Sequence, residues 1–229
     1  MASVTDSIKL VFTENFAYLK ILCLSLIPYF IYKTETVYNP YGDTISSLLY
    51  FLLGLIYIGY LLWITANTVQ SKKEILPVCN PFKAFAIGFK SLLALFPQLF
   101  LCLCFYKYFV KTANLSLMSD KVIVYIGSFL LLALLFTSAI FYAKKFSISD
   151  AWNLKNIFRN FAQIFIYLIC TFVLLGLLCA VVAIPLLIFV NLLFGKHMIY
   201  NCTIIYLVTA TLFVYFQNLG YAYFEYIKE

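Results

Sequence analysis

The side chains that most often carry catalysis or bind metals are sparse in this chain. His197 is the only histidine, and it stands beside Gly195 and Lys196 in a predicted loop. A histidine-based metal site or a nucleophile activated by histidine therefore has too few parts. Five of the seven cysteines fall inside apolar segments and Cys202 lies near the outer end of one; within such a segment cysteine acts as a small packing residue. We expect no catalytic residue, no metal site, no cofactor, no disulfide and no enzymatic activity.

Uncharged amides are the remaining polar candidates within the apolar segments. They are Gln98, Asn191, Gln217 and Asn218. An amide in this setting either hydrogen-bonds a neighbouring helix or contributes to a polar site for an uncharged solute. Gln98 follows Pro97, which frees a backbone carbonyl one turn earlier, so its amide is expected to bond that carbonyl or another helix. Hydrogen bonding between helices is the favoured interpretation, and an intramembrane polar site is the alternative.

The composition shows what must position these amides. Of 229 residues, 65% are hydrophobic and 11% are charged, whereas soluble domains contain about 45–50% and about 25%. About 20 apolar residues in a helix cross the roughly 30 Å of bilayer hydrocarbon. Segments 16–32, 47–66, 91–106, 122–143, 161–185 and 199–221 meet this description. The sequence predicts an all-α membrane protein with six transmembrane helices in one domain, 1–229.

The cations are distributed unevenly about these spans. Most lysines and the arginine fall on the side that holds both termini and the second and fourth loops. Cytoplasmic loops retain Lys and Arg, so both termini are predicted to be cytoplasmic, in an inner or plasma membrane. Lys20, at the start of the first span, is expected to extend toward the headgroups. The residues predicted to contact anionic headgroups are Lys83, Lys90, Lys144, Lys145, Lys155 and Arg159. The net charge of +7 then reflects lipid contact, and no nucleic-acid partner is expected.

An internal repeat organises the spans. Residues 3–10 match 147–154 position by position, with Ser, Asp and Leu identical, and a weaker copy begins at Asn80. Ser3 and Ser147 each precede an Asp by three residues, and Pro81 follows Asn80, so each copy opens with a helix start. We predict three pseudo-repeats, 1–75, 76–146 and 147–229, each an interfacial amphipathic helix followed by a transmembrane hairpin. The alternative is that these helices are cytoplasmic extensions of the spans.

Pro185 lies within the longest apolar segment, which continues beyond it. An internal proline removes a backbone hydrogen bond. The helix is therefore expected to kink or break there, giving a short interfacial or re-entrant piece near Asn191.

Three stretches resemble an uncharacterised bacterial and archaeal multi-pass membrane family, domain of unknown function 4013. They are residues 6–16 with the following span, residues 59–77 with a Leu-Pro turn, and the short basic loop 142–151 before an Asp/Ala helix start. The family has no established activity, so the resemblance implies the architecture and assigns no residue a role.

Two classes of function remain open. The first is a non-enzymatic scaffold or accessory subunit of a membrane complex, interacting with anionic lipid and with partner helices or a second copy. The second is a transporter or a substrate-binding membrane component for a small, largely uncharged solute. Asn114 and Asn201 match the glycosylation acceptor on the predicted outer side, and their use depends on the source.

Overall fold

The computed structural model describes residues 4–37, 44–71, 75–78, 80–110, 118–195 and 198–226. All regular structure in these ranges is helical. The α-helices are α1 Val4–Thr13, α2 Ala17–Val37, α3 Thr44–Val69, α4 Pro81–Phe105, α5 Met118–Lys145, α6 Ile148–Ala151, α7 Leu154–Leu178, α8 Ile184–Phe194 and α9 Met198–Tyr226. Two π-helical turns, Tyr106–Val110 and Cys179–Ala183, extend α4 and join α7 to α8.

Five helical segments in the described ranges are long and apolar enough to cross a membrane. They are Ser47–Val69, Pro81–Tyr108, Asp120–Lys145, Leu154–Leu193 and Met198–Tyr223. A sixth is counted if Ser7–Thr13 and Ala17–Lys33, which meet at 96°, form one broken span. The prediction of an all-helical protein with several membrane-spanning helices is therefore confirmed. The predicted count of six depends on whether this bent pair is one span.

The predicted helix starts are present where the structure describes them. Asn80 caps α4, its side chain accepting from the Lys83 backbone N–H at 3.0 Å, with Pro81 in the first turn. Ser147 caps α6 through the Asp150 N–H at 3.4 Å. That helix is a single turn, however, and Asn153 caps the longer α7. Ser3 lies outside the described residues.

The amphipathic segments do not form separate helices in the second and third copies. Helix α4 runs from Pro81 to Phe105 and α7 from Leu154 to Leu178 without interruption, as the extension alternative predicts. Only α1 is separate, because the chain turns at Phe16, where φ is 60°. Nor does α1 present its whole apolar face to lipid, since Val11 is fully buried.

Of the two outcomes expected at Pro185, a kink or a break, the structure shows no break. Candidate span Leu154–Leu193 continues through the proline as one helical segment of 40 residues. The π-helical turn Cys179–Ala183 directly precedes α8, whose first turn contains Pro185. A wider turn at this point accommodates a residue that cannot donate its backbone hydrogen bond, so the helix continues without a re-entrant piece.

Close packing of α3 against α4 forms the centre of the bundle. A Cβ at Gly59 would overlap the Ala84 carbonyl oxygen, and one at Gly88 would overlap the Leu55 carbonyl oxygen. Glycine at both positions lets the two backbones touch, as is common where membrane helices pack without a hydrophobic driving force. Helix α9 lies against the same α3, with the rings of Tyr60 and Phe213 stacked at 5.7 Å between centroids.

Candidate functional site

The densest polar cluster surrounds the segment Ile75–Val78, which leads into α4. Glu14 and Lys20, on either side of the turn between α1 and α2, form an ion pair of 3.4 Å. Glu14 Oε2 accepts from the Leu76 backbone N–H at 2.8 Å, and Lys20 Nζ donates to the Leu76 carbonyl at 2.6 Å. The ion pair therefore hydrogen-bonds both the backbone N–H and the backbone carbonyl of Leu76.

Helix α3 supplies the other two contacts to this segment. The Tyr60 hydroxyl donates to the Pro77 carbonyl at 2.5 Å, and Asn67 Nδ2 donates to the Ile75 carbonyl at 3.1 Å. Three successive carbonyls are thus bound by side chains, which compensates for the helical hydrogen bonds that a Leu-Pro sequence cannot make. We call Glu14, Lys20, Tyr60 and Asn67 the polar clamp. It joins α1, α2, α3 and the start of α4.

Lys20 does not reach toward headgroups as the sequence predicts. Its side chain is 15% exposed and its ammonium is occupied by Glu14 and the Leu76 carbonyl. Sequence reasoning missed Glu14, because a spacing of six residues does not place two side chains on one helix face. The turn at Phe16 brings the pair together, and φ at that residue is not visible in the sequence.

Asn218 forms the second polar cluster, where α1, α7 and α9 meet. Its Oδ1 accepts from the Ser7 hydroxyl at 2.8 Å and from the Tyr167 hydroxyl at 3.2 Å, and both Ser7 and Asn218 are fully buried. The neighbouring Gln217 is also fully buried, and neither polar atom of its amide has a hydrogen-bond partner among the described residues. Its spacing from Phe213 and Gly220 places Gln217 on the side of α9 that contacts α3.

The other two predicted amides act elsewhere. Gln98 Nε2 donates to the Ser138 hydroxyl at 2.9 Å, joining α4 to α5 rather than reaching the carbonyl freed by Pro97. Asn191 is half-buried in α8. The four amides therefore do not share a hydrogen-bonded site: Gln98 and Asn218 each connect a different set of helices.

The six predicted headgroup residues divide into two groups. Lys83 Nζ lies 4.1 Å from the centre of the Trp63 ring, and Lys144 Nζ lies 5.2 Å from that of Tyr223, geometries in which a cation is attracted to the ring face. The four side chains with no such ring contact are exposed: Lys90, Lys145, Lys155 and Arg159. Gln70 Nε2 donates to the Lys144 carbonyl at 3.4 Å, which places the ends of α3, α5 and α9 together. We call this end of the bundle the basic end.

Other candidate chemistry has little structural support. Within the described ranges no three His, Cys, Asp or Glu residues lie close enough to hold a metal ion. Asn201 belongs to α9, and the hydroxyl of Thr203 donates to the Ile199 carbonyl at 2.8 Å. His197, Cys79 and Asn114 lie outside the described residues.

The unpaired amide of Gln217 gives a prediction whose sign differs from that of Gln98. Gln217→Leu is expected to raise the stability of the protein by about 1–3 kcal/mol, because it removes a buried polar group that has no partner. Gln98→Leu should lower stability, because it removes the hydrogen bond between α4 and α5 and leaves the Ser138 hydroxyl with only its own donation to the Leu134 carbonyl. Thermal unfolding of both variants in detergent measures the difference. Equal losses of stability in the two variants would contradict the assignment of Gln217 as a buried amide without a hydrogen-bond partner.

No family model, no curated protein and no solved structure matches this chain.

Proposed function

We propose that this chain is a non-enzymatic integral membrane protein that serves as a scaffold or accessory subunit and contacts both lipid and partner helices. The observation that carries the proposal is the exposure of the segment formed by α7 and α8. Only 6% of the most apolar stretch of Leu154–Leu193 is buried within the chain, against 28–44% for the other four candidate spans. Its mean hydropathy, 3.1, is also the highest of the five.

The length of this segment supports the same conclusion. Its apolar part, residues 161–193, extends about 50 Å at 1.5 Å per residue, well beyond the roughly 30 Å of hydrocarbon that one crossing requires. A helix this long must tilt, thicken the surrounding bilayer or pack against other helices. Val181, Phe189 and Leu192, with exposed fractions of 72%, 58% and 78%, offer large apolar side chains to such a partner.

The basic end supports contact with lipid headgroups. Lys90, Lys145, Lys155 and Arg159 are exposed, and exposed cations near a membrane surface favour anionic lipid by about 1 kcal/mol each. We place this end at the cytoplasmic face of an inner or plasma membrane, with the α1–α2 pair as the first of six crossings. Three pseudo-repeats then form the bundle, the first opening on α1 and the other two on extensions of α4 and α7.

A second candidate function is a transporter or a substrate-binding component for a small uncharged solute. The unpartnered, fully buried amide of Gln217 favours it, because such groups can serve as hydrogen-bonding positions for a solute. The scaffold remains the first candidate because three clefts of the described part of the chain are lined almost entirely by apolar side chains.

Site-specific photocrosslinking in native membranes tests the scaffold function. A photoreactive phenylalanine analogue at Val181 should give a stoichiometric crosslink to one partner. The matched control is Tyr125 on α5, which is equally exposed at 71% against 72%. We expect no such product from the control position.

Lipid binding provides the second arm of this test. The protein should retain more anionic than neutral lipid through purification, and Lys155→Gln with Arg159→Gln should reduce the difference. Equal retention of both lipids, together with no partner crosslinked from α7 or α8, would exclude the proposed function.

A further inference from the structure

A cleft of 340 Å³ lies between α5, α7 and α9, within three candidate membrane spans. Phe129 and Phe136 of α5 form one wall, Leu168 and Gly176 of α7 form another, and Tyr215 of α9 closes the third side. Gly176 and Phe172 stand at its rim, with Phe172 65% exposed, so the cleft opens sideways toward the surrounding hydrocarbon.

The walls of the cleft offer few hydrogen-bonding groups to a polar ligand. Its lining is almost entirely aromatic and aliphatic. The hydroxyl of Thr211 is already donated to the Leu207 carbonyl at 2.8 Å, and the Cys179 Sγ lies 3.5 Å from the same hydroxyl. An apolar cavity of about 150 Å³ excludes water yet binds benzene or xenon. This cleft is more than twice that size, so it favours a hydrocarbon occupant over water.

The shape of the cleft selects among hydrocarbon occupants. Its α7 wall extends from Leu168 to Cys179, eleven residues of rise or about 16 Å along the helix. One leaflet contributes about 15 Å of hydrocarbon, half of the bilayer core. A single side chain from a partner helix would fill one turn of such a groove, whereas an acyl chain lying alongside α7 would fill its length.

We propose that this cleft binds one acyl chain of a membrane lipid. The proposal rests on the membrane embedding of the proposed function and does not depend on a protein partner. The acyl chain lies between Phe136 and Gly176. It makes dispersion contacts with the aromatic walls, which an empty groove would leave without neighbouring atoms. Gly176 leaves room for it, because a Cβ there would meet nothing within 4 Å.

Filling the cleft from its rim is the test. Gly176→Leu places a branched side chain in the position assigned to the lipid. Gly54→Leu is the matched control, because a Cβ at Gly54 in α3 also meets nothing within 4 Å and Gly54 does not line the cleft. Each protein is reconstituted in nanodiscs whose phospholipid carries a diazirine midway along one acyl chain, then irradiated and analysed by peptide mass spectrometry.

We expect the wild type and Gly54→Leu to be labelled at Tyr215, which is 9% exposed and so poorly accessible to lipids at the outer surface. Gly176→Leu should lose this label while exposed residues such as Val181 remain labelled. Native mass spectrometry after detergent washing should show one retained lipid in the first two proteins and none in the third.

Two results would overturn the proposal: Tyr215 labelling that is unchanged in Gly176→Leu, or no label at Tyr215 in the wild type. If Gly176→Leu elutes as aggregate, Ala133→Phe fills the same cleft from α5 and replaces it. Partner crosslinking from Val181 is measured separately, in native membranes that hold the same variants, so failure of lipid binding and failure of the scaffold function give different patterns.

Discussion

Gly59→Ala is expected to destabilise the protein by about 3 kcal/mol or more, because among the described glycines a Cβ here would make the closest overlap with backbone. The new Cβ would overlap the Ala84 carbonyl oxygen, which belongs to backbone and cannot rotate away. Helices α3 and α4 would have to separate, and the packing around Gly88 would be lost along with the Tyr60 contacts nearby. Gly88→Ala should behave similarly through the Leu55 carbonyl.

Gly54→Ala provides the control for this prediction. It lies on the same helix, 1.4 turns before Gly59 by the 3.6-residue repeat, and its Cβ would meet nothing within 4 Å. Because alanine is also the better helix former, its stability should be unchanged or slightly raised. Unfolding in mixed detergent micelles, followed by circular dichroism, measures all three variants. A loss in Gly54→Ala as large as that in Gly59→Ala would contradict the role assigned to close packing at Gly59, because alanine by itself favours the helix.

Glu14→Ala is expected to cost roughly 3 kcal/mol, because it removes the carboxylate that binds both the Lys20 ammonium and the Leu76 N–H. The Lys20 ammonium would keep its bond to the Leu76 carbonyl, and the Leu76 N–H would lose its acceptor, Glu14 Oε2. Both side chains of the ion pair are mostly buried, at 12% and 15% exposed, so water cannot fully replace the lost contacts. Thermal unfolding and protease cleavage at segment 70–80 measure the effect.

The isosteric Glu14→Gln separates charge from hydrogen bonding. Its amide oxygen can still accept from the Leu76 N–H, so a smaller loss than in Glu14→Ala is expected. Lys9→Ala removes an exposed cation from the neighbouring α1 and should have little effect. If Glu14→Ala and Lys9→Ala unfolded at the same temperature and were cleaved equally, the polar clamp would not stabilise the segment that leads into α4.

These two predictions concern one structural unit. The glycine contact sets the distance between α3 and α4. The polar clamp binds the segment that connects these two helices to the turn before α2. Together they hold the start of α4, where Lys83 lies over the Trp63 ring. The basic end is therefore built on the most tightly packed part of the bundle, whereas α7 and α8 extend away from it with their apolar surface exposed.

Local features were predictable from the sequence. The caps at Asn80 and Ser147 and the apolar spans depend on residues within a few positions of one another, and the structure has them. The continuity of α4 and α7 was predicted only as an alternative. A polar face suggested interfacial helices, but nothing between Phe82 and Leu92 interrupts the hydrogen bonds of the helix, and one uninterrupted helix forms.

The amides show the limit of this reasoning. Their burial follows from their position in apolar segments, and Gln98 was expected to bond a neighbouring helix. Which helix it bonds depends on the approach of α5, which brings Ser138 to 2.9 Å. Similarly, Ser7 reaches Asn218 across 211 residues of sequence.

The presence of several membrane-spanning helices and the caps at Asn80 and Ser147 follow from the sequence alone, because each depends on residues close together in the chain. The sequence leaves open which polar groups meet, whether Pro185 breaks its helix and where a cleft remains. Those outcomes depend on contacts between segments distant in the chain, and the same apolar side chains would permit many such pairings. Glycine positions, a turn with positive φ and a few buried hydrogen bonds select one of them.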